Sequence, residues 1–82
     1  MITLYSKSNC SFCDRAKALL ESKDIPFKTV TMEENPDARE YLMDRGLRSV
    51  PQLFNDGVLM AGGYQGLAGQ TEEFLNSLKS KV

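Results

Sequence analysis

Between residues 2 and 32 a β-type run, an amphipathic helical stretch and a second β-type run follow one another with short polar connections. No other feature constrains the fold of this chain as much. "ITLY" is the first run, and "FKTVTM", rich in β-branched and aromatic residues, is the second. Between them, in "CSFCDRAKALLESK", Phe12, Ala16, Leu19 and Leu20 recur at helical spacing with charges in between. Asn9 is a candidate cap for this helix, and Asp24 and Pro26 mark its end. A strand–helix–strand unit of this kind favours a parallel pair joined by a right-handed crossover.

The rest of the chain adds to that unit. In "NPDAREYLMDRG", Asn35 reads as the cap, Pro36 as the first turn and Gly46 as the stop of a second helix. "QLF", Asn55-Asp56-Gly57 and "VLM" read as a hairpin. "GGYQG" reads as a loop, and a last helix follows with Leu67, Thr71, Phe74, Leu75 and Leu78 on one face. The order is β-α-β-α-β-β-α, an α/β architecture in which helices cover both faces of a four-stranded mixed sheet. With no linker, repeat or low-complexity tract, residues 1–82 are expected to form one domain.

Composition excludes several functions. The formal net charge is −1 and there is no Lys/Arg run, so nothing favours nucleic acid. The longest apolar runs are a few residues, which leaves no membrane span. "MITLYSK" reads as a strand that begins at once rather than as a signal peptide, so a cytoplasmic location is the default expectation. There a cysteine pair is redox-active or metal-binding more often than structural.

Cys10 and Cys13 are the only cysteines, two residues apart at the head of the first helix. Residues three apart on a helix share a face, close enough for their sulfurs to bond. The first cysteine sits where free backbone N–H groups and the helix dipole stabilise a thiolate, the attacking species. Lys7, Arg15 and Lys17 lie close by in sequence. Cys10 is therefore the expected nucleophile and Cys13 the expected resolving thiol. A zinc site needs about four ligands, and the chain offers two cysteines and no histidine. The same absence excludes a Cys–His hydrolase. Two inert, buried thiols remain the bland alternative.

Two further signals are "SVPQLF" at residues 49–54 and the Gly62-Gly63 pair. A proline before a strand is an ordinary strand start, and a glycine pair is an ordinary turn. In combination with "CSFC", however, "SVPQLF" and "AGGYQGL" resemble the glutaredoxin family in order and spacing over nearly the whole chain. The resemblance implies a thioredoxin-like fold with the cysteine pair beside a cis-proline at Pro51. It implies thiol–disulfide exchange, with glutathione as the reductant and cosubstrate. Cys10 and Cys13 match the redox-active pair. Phe12 stands where an aromatic flanks the tripeptide, and Lys7 and Arg39 match residues that hold its glycine carboxylate. Val50, between Ser49 and Pro51, matches the residue whose backbone pairs with the cysteinyl part like an added strand. Tyr64 and Gln65 follow the glycines at a helix start that receives the γ-glutamyl carboxylate.

The chain departs from the family pattern at two places. Gln65-Gly66 replaces a common Asp-Asp, which removes negative charge facing the γ-glutamyl amino group. Ser11 replaces the usual proline, keeping an N–H and adding a hydroxyl within reach of a sulfur. The resemblance implies disulfide-containing protein substrates, with ribonucleotide reductase a common client of the family, and a monomer. One alternative is a redoxin reduced by thioredoxin reductase. Another is a carrier of a two-iron cluster, bridged between two copies by Cys10 from each and by glutathione.

Overall fold

The computed structural model describes residues 1–60 and 62–79; Ala61, the first residue of "AGGYQGL", lies outside them. Four strands, β1 (Ile2–Ser6), β2 (Phe27–Thr31), β3 (Gln52–Asn55) and β4 (Val58–Met60), form one sheet in the order β2-β1-β3-β4. β1 and β2 are parallel, with Ile2 opposite Phe27 and Ser6 opposite Thr31. β3 runs antiparallel to both β1 and β4. This is the mixed four-stranded sheet expected, and the fold is thioredoxin-like.

Alternation along β1 assigns the two faces. Ile2 and Leu4 are buried on one side, in a core with Ala16 and Leu20 of helix α1 (Ser11–Ser22) and Leu53 of β3. Leu67 of α3 (Gly63–Ala68) and Leu75 and Leu78 of α4 (Glu72–Lys79) complete that core. On the other side Tyr5 and Phe54 meet Tyr41 of α2 (Pro36–Asp44), with ring centroids 5.5–5.8 Å apart. Burial pushes the Tyr5 phenol up from its usual pKa; repulsion by Tyr41 adds to this and the Arg45 charge opposes it.

Helices α1 and α2 end in the same way. After α1, Ile25 N–H donates to Leu20 C=O and Asp24 N–H to Glu21 C=O, with Asp24 at φ 57°. After α2, Leu47 donates to Leu42 and Gly46 to Met43, with Gly46 at φ 74°. Both are Schellman closures, in which one left-handed residue lets the last carbonyls find partners. The hairpin turns on Asp56 and Gly57 at φ 51° and 85°, as a two-residue loop between antiparallel strands requires.

The structure differs from the sequence reading in four local details. Cys10, not Asn9, is the cap of α1; Asn9 sits before it at φ 59°. Asn35 holds the cap position of α2, but its side chain donates back to Thr31 C=O at 3.1 Å instead of capping. "GGYQG" is not a loop: Gly62, the cap, and Gly63, the first residue of α3, are both left-handed at φ 93° and 56°, and the residues after them are helical. Glycine is a poor helix former, and here the burial of Leu67, 2 % exposed, outweighs that preference. The single last helix is two helices. Gly69 ends α3, and Thr71 starts α4 by accepting from Phe74 N–H at 3.1 Å through its hydroxyl. Phe74 is partly covered, at 37 % exposure, and only Leu75 and Leu78 of the expected α4 face are buried.

Candidate active site

Strand directions bring four connections to one edge of the sheet. Parallel β1 and β2 both end there, at Ser6 and Thr31. Antiparallel β3 begins there, since Tyr5 is opposite Gln52, and β4 ends there, since Met60 is opposite Leu53. Residues 7–10, the start of the β2–α2 turn, the Ser49–Pro51 segment and the Gly62-Gly63 pair therefore converge.

Cys10 stands at the centre of this edge. It has the extended backbone of a helix cap, φ −111° and ψ 102°. Its Sγ accepts from the Cys13 N–H at 3.1 Å and lies 3.9 Å from the Val50 carbonyl oxygen. Cys10 and Cys13 form a disulfide, with Cα atoms 5.2 Å apart. Cys13 is fully buried and Cys10 is half-buried, so only the first sulfur faces an incoming reactant. Cys13, Ala16 and Leu20 share the buried stripe of α1, the thiol counting as a small apolar group. That displaces Phe12, read from sequence as part of the stripe, to the surface at 45 % exposure. Its ring lies 6.0 Å from that of Tyr64 and 5.3 Å from the Arg15 guanidinium carbon. The Ser11 hydroxyl has no hydrogen-bond partner among the described residues; the donor to the Cys10 sulfur is the Cys13 backbone.

Two grooves open beside Cys10 and share Leu47, Ser49 and Val50. The larger, about 710 Å³, is lined by Lys7, Arg39 and Arg48 over an apolar floor that includes Met32 and Leu42. The smaller, about 370 Å³, runs past Phe12 and Pro51 to Gly62, Gly63, Tyr64 and Gln65. Both volumes suit small ligands. All eight residues expected to hold a tripeptide (Lys7, Phe12, Arg39, Ser49, Val50, Pro51, Tyr64 and Gln65) line one groove or the other. The Val50–Pro51 peptide is cis. The first turn of α3 comes so close to this segment that a Cβ on Gly63 would stand 2.8 Å from the Pro51 carbonyl oxygen.

Three polar lining residues, Glu33, Arg48 and Gln52, were not expected from sequence. Glu33 accepts from Ser8 N–H at 2.9 Å and so ties the β2–α2 turn to the segment carrying Cys10. That bond, chiefly, holds its carboxyl below the usual range, and the Lys7 charge assists. No local pattern points to Glu33. Arg48 adds a third cation to the larger groove. Gln52 is a polar residue inside the apolar run "VPQLF", and that break in the pattern was a usable signal.

Among the described residues no three Cys, His, Asp or Glu side chains gather to hold a metal ion. With Cys13 buried, one chain presents one accessible sulfur, so an iron–sulfur cluster here would need Cys10 from each of two copies.

A thioredoxin-like fold with a Cys-x-x-Cys pair at a helix head defines a thiol oxidoreductase. The sequence model of the family described as Glutaredoxin matches residues 2–60. Glutaredoxin 3 of Escherichia coli K12 is 39 % identical over 62 residues, covering 74 % of this chain and 75 % of its own. The glutaredoxin-like protein NrdH of Lactococcus lactis subsp. cremoris is 32 % identical over 62 residues, covering 76 % and 86 %. A buckwheat glutaredoxin–glutathione complex superposes with a TM-score of 0.79 at 24 % identity, over 98 % of this chain and 76 % of that one. The chain belongs to the glutaredoxin family.

Proposed function

We propose that this chain reduces protein disulfides and glutathione mixed disulfides through Cys10 and Cys13, and is itself reduced by glutathione. The observation that carries this reading is the sulfur of half-buried Cys10, held by the Cys13 N–H and 3.9 Å from the carbonyl oxygen of Val50, a residue that borders two grooves of which one carries Lys7, Arg39 and Arg48. In the reduced protein the Cys10 thiolate attacks one sulfur of the substrate, forming a mixed disulfide and expelling the other sulfur as a thiolate. Cys13 then attacks Cys10, releasing the second substrate thiol and leaving the Cys10–Cys13 disulfide. Two glutathione molecules return this disulfide to the dithiol and leave as oxidised glutathione.

The bound tripeptide would lie across both grooves. Its glycine carboxylate would meet Lys7 and Arg39, its cysteinyl backbone would pair with Val50 as an added strand, and its γ-glutamyl carboxylate would face the start of α3. The buckwheat structure that shares this fold is a glutathione complex, which supports glutathione as the ligand. The cytoplasm, where thiols stay reduced, is the proposed location, and ribonucleotide reductase is a candidate client.

One observation favours a second reading, a redoxin reduced by thioredoxin reductase. Among the described residues, the smaller groove has no carboxylate to meet a γ-glutamyl amino group. The discriminating experiment follows NADPH consumption with a small mixed disulfide. It is run once with glutathione and glutathione reductase, and once with thioredoxin reductase alone. Turnover only in the first supports glutathione; turnover only in the second replaces it.

A further inference from the structure

Gln52 is a buried polar side chain at the site that disulfide exchange does not call on. It is 8 % exposed and is the first residue of β3. Its Nε2 donates to the Ser49 carbonyl oxygen at 3.0 Å and approaches the Ser49 hydroxyl oxygen at 3.4 Å. Burying a carboxamide costs free energy unless its groups are partnered, and here the donors are spent three residues back, across Pro51.

That segment has little else to fix its shape. Among the described residues neither Ser49 nor Val50 makes a backbone–backbone hydrogen bond. Pro51 has no N–H to give. Yet Val50 borders both grooves, and its carbonyl lies 3.9 Å from the Cys10 sulfur. We propose that Gln52 is a positioning residue, whose side-chain amide holds the Ser49–Val50–Pro51 segment so that the Val50 backbone is presented to the incoming disulfide substrate. The inference rests on the strand-like pairing of substrate with Val50 proposed above. Gln52 lies under the segment and acts through it. Because the amide is anchored on the Ser49 main chain, the Ser49 side chain is secondary.

Gln52→Met keeps the length of the side chain and removes the donor. With a glutathione mixed disulfide of a small thiol as substrate, its KM should rise roughly three- to tenfold, the range of one lost hydrogen bond. Its kcat should stay within about twofold, because the bond from Cys13 N–H to Cys10 is untouched. The Val50 amide resonance should move, while the helix α1 resonances stay in place. An unchanged KM, or a fall in kcat at constant KM, would overturn the proposal.

The unmodified protein gives a second test that does not depend on the variant folding. The Gln52 side-chain amide protons should exchange with solvent far more slowly than those of exposed Gln65 and Gln70. Equal exchange rates would show that the bond does not persist in solution, and the proposal would fall. The exchange-chemistry reading fails separately, by absence of turnover in the unmodified protein with either reductant; the amide and Val50 resonances are read regardless.

Discussion

The Cys13 backbone N–H donates to the Cys10 sulfur at 3.1 Å, so the two cysteines are joined by a capping bond as well as by their disulfide. A cap of this kind places the first sulfur at the positive end of α1, where negative charge is favoured. It leaves the second sulfur inside the core.

This asymmetry predicts unequal mutants. Cys10→Ser should abolish exchange with every substrate. Cys13→Ser should retain activity on glutathione mixed disulfides, where free glutathione can resolve the intermediate, and lose it on protein disulfides that need an internal resolving thiol. Steady-state assays of the two variants decide. Alkylation of the reduced protein at mildly acidic pH, read by mass spectrometry, should label Cys10 first.

Gln65→Asp should strengthen glutathione use, because it restores a carboxylate at the exposed start of α3, beside the smaller groove. One exposed charge-assisted contact is worth about 0.5–1 kcal/mol, a few-fold fall in the KM for glutathione. A rise in KM would mean that the ligand's amino group is not held there.

Gly63 and Gly57 form an internal control. Both have positive φ, but a Cβ on Gly57 meets nothing within 4 Å, whereas one on Gly63 meets the Pro51 carbonyl oxygen. Gly57→Ala should cost about 1–2 kcal/mol of stability, from left-handed backbone alone, and leave activity unchanged. Gly63→Ala should cost more and should also lower activity, because the oxygen it displaces belongs to the segment beside Cys10. Urea unfolding midpoints and turnover of the two variants test the contrast.

The Glu33 carboxylate predicts a pH effect with a definite sign. Its pKa is lower in the folded chain than in the unfolded one, so the bond to Ser8 N–H contributes stability above the ordinary carboxylate range. That contribution disappears as pH falls through the lowered value. Glu33→Gln should therefore be less stable than the parent at about pH 6, and the gap should narrow as pH falls below the ordinary carboxylate range. Urea midpoints of both proteins across that range measure it.

Much of this protein is written in short-range patterns. The periods of "ITLY", "FKTVTM" and α1 depend on residues within a turn or two of each other. The left-handed stops at Asp24 and Gly46, the Asp56-Gly57 turn and the three-residue spacing of Cys10 and Cys13 are local as well. Steric and hydrogen-bond rules act over that range, so these elements could be placed from sequence alone. The helix over Gly63–Ala68 could not, because the intrinsic preference of its glycines opposes it and the burial of Leu67 decides. Nor could the outward position of Phe12, which depends on Cys13 taking the core. The site is decided at longer range still. Lys7, Arg39, Val50 and Gln65 belong to four separate stretches of chain, which meet because β1 and β2 run parallel and β3 and β4 alternate beside them. The approach of Gly63 to Pro51 and the bond from Glu33 to Ser8 exist only once that sheet has assembled, since no pattern within either segment refers to the other.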